Sequence, residues 1–260
     1  MDHSESILGN ALKNKEIEMY LQFIVSTSEE KIIAAEALAR CNCPGKGILN
    51  PADFMDHSLS GEDGLALDLF MFENVCRKLE AWRKKGWEDL QISCNFSRSD
   101  FSFCFLAEKM IQTAKRYSFS PDRLIIEITE NTFGEVHFFT GRILRKLKDF
   151  GFRIALDDFG AGSTSIKDIQ MLPLDILKLD RSLLHGAWSP AGERVFREVA
   201  MMGKRLNYGI VCEGVETEAE MQIVRRTGVD AVQGFLYYTP ISEKEADHIL
   251  EQYYGFTQET

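Results

Sequence analysis

Apolar runs and helical stripes alternate along nearly the whole chain. Residues Ser4 to Glu18 read as a short helix with Ile7, Leu8, Ala11 and Leu12 on one face. Met19 to Val25 reads as a strand with Gln22 at its middle, and Ile32 to Leu38 as the next, ending around Glu36. After Gly64 a long helix runs to about Lys85, its stripe made by Leu67, Met71, Val75, Leu79 and Trp82. Leu90 to Phe96 is a strand ending at Asn95, followed by a helix over about Phe103 to Tyr117. Arg123 to Thr129 is a strand holding Glu127, and Ile143, Leu144, Leu147 and Phe150 mark a helix stopped by Gly151.

The alternation continues in the second half. Ile154 to Leu156 leads to Asp157 and Asp158 before the turn Gly160-Ala161-Gly162, and Asp175 to Leu179 carries Lys178 and ends at Asp180. A helix from about Ala191 to Leu206 is expected to bury Val195, Val199, Met202 and Leu206. Gly209 to Val215 carries Glu213, and Ala231 to Tyr237 is the last strand, with Gln233-Gly234 near its start. Thr217 with Glu220, and Ser242 with Glu245, have the spacing of capping boxes for the last two helices. The final helix is expected to bury Ala246, Ile249, Leu250 and Tyr253.

Eight strands separated mostly by helices predict an α/β fold, a closed (β/α)8 barrel, with a doubly wound open sheet as the alternative. From Ile32 onward the strands are continuous apolar runs, as when both faces are buried. No linker divides the chain, so residues 1–18 are a helical lead-in and 19–255 a single barrel domain. In a barrel the strand ends Gln22, Glu36, Asn95, Glu127, Asp157, Asp158, Lys178, Glu213 and Gln233 converge on one face. Alone, each has a plain explanation as a helix cap or surface charge.

Composition changes this picture in three ways. The 260 residues carry a net charge of −10, which argues against a DNA or RNA groove but not against a small anion met locally. No apolar run reaches the roughly 18 residues of a membrane span. The start is acidic and polar, unlike a secretory leader, so a cytoplasmic location is expected. The six cysteines are scattered, and Cys41-Asn42-Cys43 lacks a second pair at zinc spacing; the five histidines lie away from the strand ends.

The set of tips would then place Glu36, Glu127, Asp157, Asp158 and Glu213 in one mouth against Lys178. Burying unpaired carboxylates costs several kcal/mol apiece, so cations or protons must neutralise them. The donors are hard oxygens, which favour Mg²⁺ or Mn²⁺ over zinc. Two such ions serve in-line displacement at phosphorus, and Asp157 followed by Asp158 suits one bridging and one terminal ligand.

Glu36-Ala37-Leu38-Ala39-Arg40 resembles the E-A-L-x-R signature of the EAL-domain cyclic-di-GMP phosphodiesterases. Asn95-Phe96-Ser97, Glu127-Ile128-Thr129-Glu130, Asp157-Asp158-Phe159-Gly160, Lys178-Leu179-Asp180, Glu213-Gly214-Val215-Glu216-Thr217 and Gln233-Gly234-Phe235 match the family's later motifs in order. The likeness covers roughly Tyr20 to Pro240. It implies hydrolysis of cyclic di-GMP to linear pGpG in a modified (β/α)8 barrel whose first strand is antiparallel. It implies one metal on Glu36, Asn95, Glu127 and Asp157, and a second on Asp157 and Asp158, with Glu213 bound to it or to its water. Lys178 would orient the attacking water and Glu213 act as general base. Gln22, Leu38, Arg40, Glu216 and Gln233 would contact the substrate, and Glu130 would anchor the loop that couples the site to a homodimer. The chain departs from the family at Ala161 and Ser163, where Thr and Tyr are common, at Phe23 after Gln22, and at Cys41 in place of Trp.

Two other readings use the same residues, and a third uses the glycine turn. A barrel that binds cyclic di-GMP or a protein partner without cleavage would be expected to lack some metal ligands, and this chain keeps all of them. An aldolase-like barrel would use Lys178 as a Schiff base. A dinucleotide site at Gly160-Ala161-Gly162 lacks the G-x-x-G continuation.

Overall fold

The computed structural model describes residues 7–54, 61–128, 137–162 and 166–257. Helix α1 (Ile7–Lys13) leads into β1 (Ile17–Ser26) and β2 (Ile32–Cys43). Next come β3 (Gly47–Leu49), α2 (Pro51–Phe54), α3 (Gly61–Lys84) and β4 (Gln91–Phe96). A 3₁₀ turn (Arg98–Ser102) precedes α4 (Leu106–Ala114), and β5 (Leu124–Ile128), α5 (His137–Phe150) and β6 (Arg153–Phe159) follow. Then come α6 (Ile166–Met171), β7 (Ile176–Leu179), α7 (Arg181–Gly186), α8 (Pro190–Arg205) and β8 (Gly209–Cys212). The chain finishes with α9 (Glu218–Arg225), β9 (Ala231–Val232), β10 (Ile241–Ser242) and α10 (Glu243–Thr257).

Eight strands close in the order β1-β2-β4-β5-β6-β7-β8-β9 and back to β1, with β3 and β10 attached outside the ring. The first strand is antiparallel to β2 and β9, and the others run parallel from β2 through β9. Closure removes the open sheet as an alternative and leaves the barrel no free edge.

Helices α3 and α5 pack where their stripes are. Leu67, Met71, Val75, Leu79 and Trp82 of α3 are all buried, as are Leu144 and Leu147 of α5. Gly151 turns the chain out of α5 at φ +117. Both expected capping boxes form: Thr217 and Glu220 exchange bonds at the start of α9, and Ser242 and Glu245 at the start of α10. Ala246 and Leu250 of α10 are fully buried, while Ile249 and Tyr253 are half-buried.

Three expectations are corrected. The first strand begins at Ile17, inside the stretch read as helix, and α1 ends at Lys13. The last barrel strand is only Ala231–Val232, because the chain turns at Gly234, whose carbonyl accepts the Tyr237 and Tyr238 N–H groups. Helix α8 buries Phe196, Ala200 and Gly203, leaving Val195 and Leu206 exposed and Val199 and Met202 half-buried. The cause is Gly203: a Cβ there would lie 2.4 Å from Ile210 Cδ1, so the helix approaches the barrel along its glycine side.

Side chains alternate across a strand, so residues two apart share a face. A small apolar cluster of Ile24, Ala34, Ile125, Ala155, Ile176, Val211 and Ala231 lies apart from the large core between strands and helices. Each member is two residues from a polar tip: Gln22, Glu36, Glu127, Asp157, Lys178, Glu213 or Gln233. The barrel interior is thus layered, apolar and small in the middle, polar at the carboxyl ends. Ser93 and Asn95 supply the same pair on β4.

Helix α10 is tied back to α3 by a buried ammonium. Lys78, 4 % exposed, pairs with Glu243 at 3.0 Å and Asp247 at 3.1 Å. Trp82 Nε1 donates to the same Asp247 oxygen at 2.9 Å. Replacing Asp247 by Ala leaves the indole N–H unpartnered and the ammonium half-compensated. A denaturant titration is expected to show a loss of about 2–3 kcal/mol; a loss below about 0.5 kcal/mol would show that water replaces both contacts.

Candidate functional site

Lys178 stands at the end of β7 with its ammonium 1 % exposed. Four carboxylates from four strands or strand ends surround it: Glu213 Oε1 at 2.7 Å, Glu127 Oε2 at 2.9 Å, Asp157 Oδ1 at 2.9 Å and Glu36 Oε2 at 3.2 Å. Asn95 Nδ2 donates to Glu36 Oε1 at 2.7 Å, and Gln233 Nε2 donates to Glu36 Oε2 at 2.7 Å and to Gln22 Oε1 at 3.1 Å. Gln22 in turn donates to the Tyr238 carbonyl at 2.9 Å. Eight residues that are distant in sequence therefore form one connected polar layer.

Burial sets the protonation of this layer against the ammonium. Desolvation pushes the Glu127 carboxyl up to about 8, the attraction of Lys178 being outweighed with help from Glu36 and Asp157. Burial also raises Glu213 well above the usual carboxylate range and lifts Asp158, with Asp157 adjacent, to about 6. Glu36 is buried too, but Lys178 and the Gln233 and Asn95 amides outweigh that and hold it below the usual range. Desolvation alone would lower Lys178; the surrounding carboxylates instead hold it well above the ordinary lysine value.

Above the layer a cleft of about 300 Å³ is lined by Gln22, Glu36, Asp157, Asp158, Glu213, Glu216 and Gln233. Asp158 sits in the left-handed region at φ +54, which turns its carboxylate away from the strand line beside that of Asp157. Ligand oxygens of Asp157, Asp158 and Glu213 lie within 4.8 Å of one another. Asp157 Oδ1 is within ion-pair distance of Lys178 yet is buried without a hydrogen-bond partner. An all-oxygen donor set of clustered carboxylates, with only one ammonium to compensate it, fits a hard divalent cation.

Leu38 and Arg40 are half-buried and do not line this cleft. Arg40 Nη1 donates to the Ala39 carbonyl at 2.8 Å, and its guanidinium lies 5.8 Å from the Tyr20 ring centroid. Glu130 and Ser163 lie outside the described residues, and Ala161 is exposed. Two cleft residues have no role assigned from the sequence: Arg181, and Phe235, which appears there only within the Gln233-Gly234-Phe235 motif. Arg181 directly follows Asp180, which caps α7, and Gly214 at φ +66 makes room for it: a Cβ there would lie 2.5 Å from Arg181 Cβ. A lone arginine after K-L-D carries no pattern, but the glycine after Glu213 was a readable sign of close backbone approach. Phe235 is 60 % exposed at the mouth.

The fold and this mouth define a (β/α)8 barrel with an antiparallel first strand and an acidic site at the carboxyl ends of its strands. The chain belongs to the EAL domain family, whose model matches residues 5–240. It is 30 % identical over 241 residues to the bifunctional diguanylate cyclase/cyclic di-GMP phosphodiesterase MucR of Pseudomonas aeruginosa, covering 92 % of this chain and 35 % of that protein. The signaling protein YkoW of Bacillus subtilis is 29 % identical over 254 residues, 96 % of this chain and 31 % of its own length. The chain thus spans about a third of the length of these relatives. Its backbone resembles the PaMucR phosphodiesterase in its c-di-GMP complex, with TM-score 0.83, 30 % identity and coverage of 92 % and 97 %. An EAL domain protein of Listeria monocytogenes gives TM-score 0.80 at 26 % identity, covering 98 % and 99 %. No helix among the described residues is long and apolar enough to cross a membrane.

Behind Asn95, the chain after β4 is held by a second acidic pair. Asp68 Oδ2 accepts the Ser97 N–H at 3.0 Å, and the Asp68 carboxyl is buried beside that of Asp100, whose oxygens have no other hydrogen-bond partner among the described residues. Two carboxyls buried side by side favour one of them keeping its proton. Burial is the first cause that raises both, Asp68 the further and so the holder of the proton. A carboxyl raised in the folded state stabilises fully below its unfolded value near 3.8 and loses that contribution as pH rises through its folded value. Asp68→Asn replaces the O–H donor with an N–H donor that does not titrate. The variant is expected to lose less stability than the parent between pH 5 and 8 in denaturant titrations; equal losses would mean that the pair shares no proton.

Proposed function

We propose that this chain hydrolyses one phosphodiester of cyclic di-GMP to linear pGpG, with two divalent cations, Mg²⁺ or Mn²⁺, as cofactors. The observation that carries the proposal is the convergence of Glu36, Glu127, Asp157 and Glu213 on Lys178 inside one barrel mouth. Family membership and the phosphodiesterase relatives supply the substrate class. Glu36, Asn95, Glu127 and Asp157 would hold one ion, and Asp157 and Asp158 the other, with Glu213 alongside. When bound, the ions supply Lewis acidity at the phosphoryl oxygens and acidify a water.

The chain's own residues do the rest. Glu213 takes the proton of the attacking water at its carboxylate, suited to that task because burial raises its basicity. Lys178 holds Glu213 at 2.7 Å and so fixes where that proton is received. Gln22 and Gln233, locked to each other and to Glu36, present a fixed amide edge to the substrate. Arg181 provides a fork for a phosphate, and Arg40, outside the cleft as the chain stands, would reach the substrate only by swinging away from the Ala39 carbonyl. Phe235, standing free at the mouth, offers a ring face to a guanine. Glu216 completes the polar wall. A homodimer coupled through the loop after Asp158, which Glu130 would anchor, belongs to the same proposal.

Purified protein incubated with cyclic di-GMP and Mn²⁺ is expected to yield pGpG on chromatography. Glu36→Ala and Asp157→Ala are expected to cut turnover by roughly 10³-fold or more while keeping a cooperative melt. Retained turnover in either variant would contradict the assignment; substrate binding without product in the parent would leave a receptor. Ca²⁺ in place of Mn²⁺ is expected to inhibit, since its looser shell holds in-line geometry poorly, and full activity with Ca²⁺ would overturn that point.

A further inference from the structure

The barrel has a second opening at its opposite pole. Beneath the polar layer lies a chamber of about 220 Å³, roofed by Glu127 and Lys178 and walled by the middle layer, including Ala34, Ala155 and Ala231. Barrels of this kind ordinarily fill that space with stacked bulky side chains. Here three of the strands contribute only a methyl group to its wall. An apolar cavity of about 150 Å³ stays dry and takes up benzene. This one is larger and open at one end.

The rim decides what would enter. It is formed at the amino-terminal starts of β4, β6, β8 and β9 by Gln91, Arg153, Gly209 and Asp230. The Asp230 carboxylate is committed, to Lys204 and to the Ile210 N–H at 2.8 Å. Arg153 gives one of its five donors to Gln91 Oε1 at 3.1 Å. The rim therefore offers a guanidinium edge directly beside an apolar hole, in a chain whose net charge is −10.

We propose that this chamber is a second small-molecule site, taking a ligand with an apolar body of about one aromatic ring and a single acidic group. The ring sits among the alanines, and the acid stays at the rim on Arg153, far from the carboxylates of the roof. The site shares its roof, Glu127 and Lys178, with the polar layer but uses none of the residues that line the cleft above, and its test reads ligand binding without cyclic dinucleotide.

Benzoate is the probe, titrated calorimetrically into the whole chain in EDTA without cyclic dinucleotide. Saturable binding of one benzoate per chain is expected. Ala155→Leu and Ala231→Leu, which fill the chamber, are expected to abolish it while keeping a cooperative melt. Arg153→Gln is expected to weaken it roughly tenfold or more, and benzyl alcohol to bind the parent more weakly than benzoate by a similar factor. Should a filling variant fail to fold, a crystal soaked with 4-bromobenzoate decides, with a bromine anomalous peak expected inside the ring of alanines. No saturable binding, binding that folded filling variants retain, equal affinity for benzyl alcohol, or a bromine peak elsewhere would each overturn the proposal.

Discussion

One ammonium group holds the polar end of this barrel together. Lys178 is 1 % exposed, and four carboxylates lie within 3.2 Å of its ammonium. A buried ammonium without partners would shed its proton, and buried carboxylates without a cation would take one up. Together they partly compensate, but a single positive charge does not balance five acids, and the excess shows as the elevated Glu127, Asp158 and Glu213. That residual imbalance is what divalent cations would relieve. It is also why the site is costly as structure alone: an apolar layer of similar volume would ordinarily be as stable or more so.

The rest of the fold serves this arrangement. Closure through the antiparallel first strand brings Gln22 across from Glu36, in register, and the Gln22–Gln233–Glu36 chain of bonds fixes the seam. Parallel strands carry the remaining tips to the same height. Glycine appears where backbones must come close: at Gly214, which admits Arg181 to the cleft, and at Gly203, which seats α8 against Ile210. The middle layer below has alanine on three strands, so the polar layer rests partly on open space rather than on packed side chains.

Much of this was readable in the sequence, because two-residue periodicity and strand-end position are local properties. Ile125 before Glu127 and Val211 before Glu213 already share an inner face without knowledge of the fold. The misreadings arise where tertiary contact overrides the local pattern. Helix α8 has an apolar stripe of Val195, Val199, Met202 and Leu206 at good helical spacing, yet the close approach at Gly203 turns Phe196 and Ala200 inward instead. The run from Ala231 to Tyr237 has strand-like composition, but Leu236 N–H bonds to the Val215 carbonyl and the chain turns. Arg181 and Phe235 carry no periodic signal, and only assembled geometry brings them to the cleft. The chamber at the far pole is likewise invisible in sequence, since single alanines on separate strands mean nothing until they face one another.

The central claim is that crowded acids at one barrel mouth are made tolerable by paired divalent ions. Diffraction at the manganese edge, from crystals grown with Mn²⁺ and cyclic di-GMP, tests it most directly. Two anomalous peaks about 3.5–4 Å apart, both within bonding distance of Asp157, are the expected result. Manganese absent from the mouth, or bound without contact to Asp157, would contradict the account.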